Sequence, residues 1–358
     1  MHSTSVRNWS TAIFIVALAL VPLFTTDMYN VFVLNNICIN VMLVMALNFI
    51  LGFAGQVFMG TVAFFAIASY TSALLHVYYG FGFWQALPFA VLTSSLFSLV
   101  IGIPTLRISG AYLALMSMGF IVVVTDVLRN WMSFTMGVWG VPDIPRPTLA
   151  GIDFTENVNM YYLALFFVAV LSVLAILIED SRYGLSFKAV RDDQLATELS
   201  GLNSTRVKVM AFVLCGVYTG ISGAFFASFH TFISPDIYTF DYNAIFMCML
   251  VVGGLSTVPG AILGGSLLTV AIELLRPLKE KYITVFALFI ILILLFEPGG
   301  LMVVIGRFIA WLKRTFGKND PQSREALREY EEELAVIEAD RAGGGVAVQP
   351  AEEEERHG

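Results

Sequence analysis

The sequence predicts an all-α polytopic membrane protein with about ten transmembrane helices and one broken or re-entrant helix. Hydrophobic residues make up 58% of the 358 residues and charged residues only 13%, against about 25% charged in an average soluble domain. The mean hydropathy is +0.79. Apolar runs of about 20 residues, enough for a helix to cross a bilayer, recur between short polar breaks. A β-barrel would instead show alternating apolar positions.

The apolar runs are taken in order along the chain. The first follows Arg7 and resembles the apolar region of a signal peptide, but no A-x-A-like cleavage site follows it, so we expect an uncleaved span. The ten predicted spans are residues 10–26, 31–51, 58–79, 83–103, 111–129, 160–178, 207–229, 242–258, 260–275 and 282–304.

Lysine and arginine in the short loops indicate the orientation. With the N-terminus inside, the inner side receives ten of these residues and the outer side five, which places both termini in the cytoplasm. The RPLKEK stretch, residues 276–281, disagrees with this orientation, because its three basic residues would lie on the outer side. A re-entrant segment near 253–275 would place them on the inner side. Two polar loops, 130–159 and 230–241, are expected outside, where they receive a partner or a solute or merely connect spans.

Charge and hydropathy divide the chain into three parts. Residues 1–30 hold an N-terminal segment with the first span, and residues 31–305 form the transmembrane domain, with a charged loop at 179–208. Residues 306–358 form a cytoplasmic tail. Because residues 320–358 contain twelve acidic and four basic residues, the net charge of −7 belongs to this tail. Its composition predicts a solvated, partly disordered appendage.

The stretch GFAGQVFMG at 52–60 interrupts the apolar pattern. Each glycine weakens a helix by roughly 1 kcal/mol, and a break at membrane depth is tolerated only inside protein or beside a cavity. Broken helices mark solute sites in many transporters. The side-chain amides of Asn40 and Asn48, eight residues apart on the preceding helix, share one face and could line a pathway. Interhelical hydrogen bonding explains these amides equally well. The candidate translocation pathway is Asn40, Asn48, Gly52, Gly55, Gln56 and Gly60.

No motif indicates catalysis. The sequence lacks a GxxxxGK[ST] phosphate loop, HExxH, GxSxG and any Cys/His metal spacing. We therefore expect no catalytic residue, no metal and no cofactor bound by this chain, and membrane lipid but no nucleic acid among its partners. Energy must come from an ion gradient or a partner. The apolar runs carry no acidic residue at their centres, which disfavours a proton-coupled carrier.

The loop from Glu179 to Lys208 contains ten charged residues, each costing roughly 2.5 to 3.5 kcal/mol at the bilayer centre. It must lie outside the lipid, and its pattern indicates order. Leucines recur at i, i+4 and i+7, an aspartate can cap the helix start, a glycine can end it, and Asn203 or Ser204 can cap the next span. A helix lying on the membrane interface would look similar. The residues concerned are Asp192, Asp193, Leu195, Ala196, Leu199, Gly201 and Leu202.

The stretch KAVRDD at 188–193, with the residues up to Phe212, resembles the cytoplasmic loop of ABC-importer permeases of the branched-chain amino-acid type, specifically the LivM-like subunit. Further blocks agree in order at residues 40–70, 106–114, 233–265 and 296–301. The resemblance covers about residues 35–305. Thr197 stands where the family often has alanine, and the tail beyond about 316 has no family counterpart.

The resemblance implies a permease subunit of the plasma (inner) membrane that imports branched-chain or other small amino acids. The implied partners are a homologous second permease, two ATP-binding cassette subunits that use ATP and magnesium, and an extracytoplasmic binding protein. It also implies that a coupling helix seats in an ATPase groove. Alternatives are a permease for urea or short amides, and a secondary carrier or channel without an ATPase. The coupling residues are Arg191, Asp192, Asp193, Leu195, Ala196, Glu198, Leu199 and Gly201.

Overall fold

The structure is a computed structural model that describes residues 27–105, 108, 110–149, 152–154 and 156–277, with single positions between 285 and 301. The described residues belong to one compact unit, residues 7–304. The predicted first span, most of the predicted last span and the acidic tail lie outside the described residues.

The described part of the chain contains eleven α-helices. A π-helical turn, Asn48–Phe53, extends the first of them, and 3₁₀ turns occur at Gly137–Trp139 and Pro235–Ile237. A small antiparallel pair joins β1, Thr148–Leu149, to β2, Ile152–Asp153. The helices are α1 Met28–Leu47, α2 Thr61–Tyr79, α3 Phe83–Thr105, α4 Ala111–Asn130, α5 Met132–Thr135, α6 Asn157–Glu179, α7 Arg182–Asp192, α8 Gln194–Leu199, α9 Ser204–His230, α10 Phe240–Gly253 and α11 Val258–Leu275.

Seven helices in the described part are long and apolar enough to cross a membrane, namely α1 with its π turn, α2, α3, α4, α6, α9 and α11. The prediction of a helical multi-pass membrane protein is thus confirmed. The predicted span 242–258 is wrong in length. α10 has 14 residues, about 21 Å against a hydrocarbon core of about 30 Å. It ends at Gly253 because Gly254 and Ser256 adopt φ of 125° and 62°.

Helix α9 lies at the centre and packs along α1, α2 and α3. Small residues permit this close approach, because a Cβ atom at Gly216 would lie 2.3 Å from Ser98 Oγ and one at Gly220 2.5 Å from Val91 Cα. Between α10 and α11, a Cβ at Gly264 would lie 1.9 Å from the Met249 carbonyl oxygen. Gly216 and Gly220 form one GxxxG pattern, Gly260 and Gly264 form another, and both serve helix packing.

The two polar loops that the sequence predicts on the outer side contact one another. Val141 donates its amide to the Ile233 carbonyl at 2.8 Å, and Ile233 returns the bond at 3.1 Å. Arg129 Nη2 lies 2.7 Å from Asp236 Oδ1. These bonds tie the segment after α4 to the segment before α10.

Candidate functional site

The charged loop forms two helices, where the family resemblance implied a single coupling helix over the residues from Arg191 to Gly201. Arg191 and Asp192 end α7, and α8 covers only Gln194–Leu199. Asp193 separates the two with an extended backbone, φ −152° and ψ 108°. Its Oδ1 accepts a hydrogen bond from the Ala196 amide at 3.0 Å, and an N-cap residue with this bond must leave the helical region.

Both ends around α8 are held by local bonds. Gly201 has φ 85°, its amide bonds the Glu198 carbonyl at 3.0 Å, and the Leu202 amide bonds the Thr197 carbonyl at 3.2 Å. This bond pair is a Schellman motif, in which glycine avoids the left-handed penalty. Asn203 Oδ1 then accepts from the Arg206 amide at 3.0 Å and begins α9. The predicted caps and stop are confirmed.

One side of α8 is apolar and uncovered in the described structure. Leu195 is 69% exposed and Leu199 82%, and Ala196 lies between them, also exposed. Thr197, the departure from the family pattern, points the other way. It is buried, and its hydroxyl donates to the Asp193 carbonyl at 2.6 Å. The helix therefore rests on Thr197 and presents its leucines outward.

Polar side chains fix α8 to the start of α9. Buried Lys208 donates from Nζ to Gln194 Oε1 at 2.6 Å, and Gln194 Nε2 donates to Glu198 Oε1 at 3.0 Å. The Ser204 hydroxyl also donates to Glu198. This hydroxyl bond, followed by the Gln194 amide, holds the pKa of Glu198 below its ordinary value, so the carboxylate stays charged. Sequence reasoning missed Gln194, a neutral residue among charges.

Helix α7 contacts the membrane helices through a ring and a guanidinium. Phe187 is fully buried and stacks on Phe53 with ring centroids 6.4 Å apart. Arg191 Nη1 donates to Ser256 Oγ at 2.6 Å. A Cβ atom at Gly55 would lie 2.6 Å from Arg191 Cγ, so only glycine permits this contact. The charged loop is thereby packed against the interrupted helix.

Ser256 is the centre of what we call the Arg191 junction, formed by Asn48, Gly52, Gly55, Arg191 and Ser256. The Ser256 hydroxyl donates to the Gly52 carbonyl at 2.6 Å, and its amide donates to Asn48 Oδ1 at 3.1 Å. Residues predicted separately as coupling and pathway groups thus meet at one place. Sequence reasoning missed Ser256, whose signal was the short GLST turn between two apolar runs.

Asn40, Gln56 and Gly60 are the pathway candidates that do not belong to the junction. Asn40 Nδ2 donates to Thr269 Oγ1 at 2.9 Å, and Asn48 Nδ2 to the Thr257 carbonyl at 3.1 Å, so both amides bond between helices. Gln56 is half-buried, and Gly60 directly precedes α2. A pathway role for the six residues stays a prediction.

The backbone of the break finds partners within the protein, as an interruption inside a membrane requires. The Gln56 amide bonds the Ile50 carbonyl at 2.9 Å, and the Met59 amide bonds Ser117 Oγ at 2.8 Å. The chain runs without helix from Gly55 to Gly60. It connects the Arg191 junction to the start of α2.

These features define a multi-pass helical membrane protein with a capped, outward-facing loop helix joined to an interrupted helix. The family described as "Branched-chain amino acid transport system / permease component" matches residues 29–296. The chain belongs to this family of transport permeases, which confirms the resemblance seen in the sequence.

Several relatives support the same assignment. The chain is 33% identical over 287 residues to the "High-affinity branched-chain amino acid transport system permease protein LivM" of Salmonella typhimurium and of Escherichia coli, covering 74% of this chain and 68% of each relative. It is 30% identical over 188 residues to the permease protein LivH of Salmonella typhimurium, covering 49% of this chain and 59% of that one. No solved structure matches the chain.

Proposed function

We propose that this chain is the permease subunit of an ATP-driven importer for branched-chain or other small amino acids. The two LivM relatives, similar over most of the chain, support the substrate class. The observation that carries the mechanism is the Arg191 junction, because it connects an exposed loop helix to a helix interrupted at membrane depth.

The proposed partners follow from the family. Similarity to both LivM and LivH supports pairing with a homologous second permease. Two ATPase subunits, which use ATP and magnesium, and an extracytoplasmic binding protein complete the importer. The chain lies in the plasma (inner) membrane with both termini in the cytoplasm. Ten spans are proposed, with a re-entrant segment near residues 253–275, the region of α11.

The coupling step that we propose begins at α8. Leu195 and Leu199 enter an apolar groove of an ATPase subunit, and Ala196 allows the backbone to approach it closely. Closure of the ATPase pair displaces α8 and α7 together, since Asp193 caps one helix at the end of the other. Arg191 transmits the movement to Ser256, and the spans rock between inward and outward access.

A charge at Ala196 tests this step. Ala196→Glu, in a complex reconstituted with its ATPases and binding protein, should abolish uptake and substrate-stimulated ATP hydrolysis. Ser186→Glu adds the same charge on α7, where the hydroxyl bonds only within its helix in the described structure, and should leave both activities near wild type. Normal uptake by Ala196→Glu in a complex that assembles fully would refute the coupling assignment.

Two measurements separate the alternatives. A secondary carrier or channel would move solute without an ATPase, so an ATPase that co-purifies with this chain and is required for uptake argues against that class. A permease for urea or short amides would work with a binding protein that those solutes stabilise. The solute that raises the melting temperature of the cognate binding protein therefore identifies the substrate.

A further inference from the structure

Helix α2 begins inside the protein without a side-chain cap. Its N-cap is Gly60, which has no side chain of its own to accept a hydrogen bond from the first turn. Thr61 and Val62, its first residues, are 1% and 0% exposed. The unpaired N–H groups and the dipole of a helix start favour a negatively charged group. The helix has 19 residues, long enough to carry that dipole.

Asn243, in the first turn of α10, contacts this helix start. Its Oδ1 accepts the Val62 amide at 3.2 Å, which fixes the orientation of the side-chain amide. Its Nδ2 has no hydrogen-bond partner among the described residues, although Asn243 is 0% exposed. An unpaired buried donor costs about 1 to 3 kcal/mol. The donor is thus held beside the first turn of α2 with nothing to bind.

A second polar atom at the same helix start is also unsatisfied. Thr61 Oγ1 is buried and has no oxygen or nitrogen partner in the described part of the chain; its polar neighbour is the thiol of Cys215, which is a weak hydrogen-bonding group. Valine would fill the same space without this cost. Unpaired polar groups inside a membrane protein call for an explanation, and solute or ion pathways are the common one.

We infer that the first turn of α2, with Asn243 Nδ2 and Thr61 Oγ1 as side-chain groups, binds the carboxylate of the transported solute. The inference rests on the proposed function and narrows it to solutes that carry a carboxylate, since neutral urea gains little from a helix dipole. Asn243 Oδ1 occupies the position of a carboxylate oxygen on the Val62 amide, and the solute displaces it.

The site is connected to the proposed energy input. The non-helical stretch from Gly55 to Gly60 starts at the side chain of Arg191 and ends at the N-cap of α2. A displacement of Arg191 therefore reaches the carboxylate site through six residues of non-helical chain.

Asn243→Asp is the first test. An aspartate can still accept the Val62 amide and suits a helix start, which offsets part of the cost of the buried charge, but it lacks the donor and repels a carboxylate. In proteoliposomes containing the fully assembled importer, we expect uptake of radiolabelled leucine to fall at least about tenfold. Asn36→Asp, which keeps the contact to His230, is the matched control and should import leucine within about twofold of wild type.

Thr61→Val is the second test and decides the matter if Asn243→Asp does not assemble. A purely structural hydroxyl without a partner predicts equal or higher stability and unchanged uptake. The inference predicts equal or higher stability with uptake reduced several-fold. Wild-type leucine uptake in both variants would overturn the carboxylate site and leave the proposed function intact. A wild-type complex that imports urea and no leucine would instead overturn the proposed function itself.

Discussion

Arg191 Nη1 lies 2.6 Å from the hydroxyl of Ser256, so the last turn of α7 is bonded to the turn between α10 and α11. Ser256 adopts φ 62°, a left-handed conformation that few residues other than glycine accept. Its amide and hydroxyl both bond to the end of α1, which holds this conformation. Three distant parts of the chain therefore meet at a single serine.

The guanidinium of Arg191 should matter for transport more than for stability. Its side chain is 35% exposed, so its polar contacts contribute at most about 1 kcal/mol to folding. Arg191→Ala should leave the melting temperature nearly unchanged while ATP-driven uptake falls at least about tenfold. Arg182→Ala, an exposed arginine at the start of α7, serves as control. Equal uptake by the two variants would show that the bond to Ser256 has no part in coupling.

Gly55 and Gly80 provide a matched pair of left-handed glycines, with φ of 64° and 66°. Alanine at Gly80 meets no described atom within 4 Å, whereas alanine at Gly55 would lie 2.6 Å from Arg191 Cγ. Gly80→Ala should cost about 1 kcal/mol from the backbone alone, and Gly55→Ala about 2 to 4 kcal/mol with the overlap included. Thermal unfolding in detergent measures both. Equal losses would mean that Arg191 moves aside freely.

Asn48 should be worth more to the fold than Asn40. Its buried amide bonds the Ser256 amide and the Thr257 carbonyl. Asn48→Leu leaves the Ser256 amide unpaired and removes one of the two bonds to the Thr257 carbonyl, which also accepts the Ala261 amide, so it should cost about 2 to 4 kcal/mol. Asn40 is half-buried and bonds one hydroxyl, so Asn40→Leu should cost about 1 kcal/mol. Melting temperatures of the two variants, compared under one condition, decide whether this order holds.

The left-handed conformation of Gly201 should stabilise the C-terminal end of α8. Its φ of 85° with open space around it predicts that Gly201→Asn, which tolerates this conformation, costs a few tenths of a kcal/mol, and that Gly201→Val costs about 1 to 2 kcal/mol. Hydrogen exchange of the amides in Gln194–Leu199 should quicken in the valine variant only. Unchanged exchange in both variants would show that the Schellman bonds do not hold the helix end.

Much of the fold could be predicted because hydrophobic segments of membrane proteins are continuous. The long spans in the described residues were found within a few residues, as was the stop at Gly201, and the cap was narrowed to Asp192 or Asp193, of which the structure shows Asp193. These features depend on local sequence. The length of α10 could not be found that way, because its apolar run continues through Gly254 and only a change of backbone conformation ends the helix.

The site was predicted as two separate sets because sequence spacing does not reveal distant contacts. Arg191 and Gly55 are far apart in the chain, and nothing in either local pattern shows that they touch. Asn243 lies in an apolar run and looked unremarkable, yet its amide bonds the start of α2. Partners of this kind depend on how the helices pack together.

Two backbone hydrogen bonds join Val141 to Ile233, and an ion pair joins Arg129 to Asp236. Together they restrain the start of α10 against the segment after α4. If α10 tilts when Arg191 moves, these bonds act as its fulcrum. Ser256, beyond the opposite end of α10, then moves furthest, and Asn243, in the first turn near the restrained end, moves little. Under the proposed coupling, a large displacement of Ser256 would then become a small adjustment of the Asn243 donor beside the start of α2.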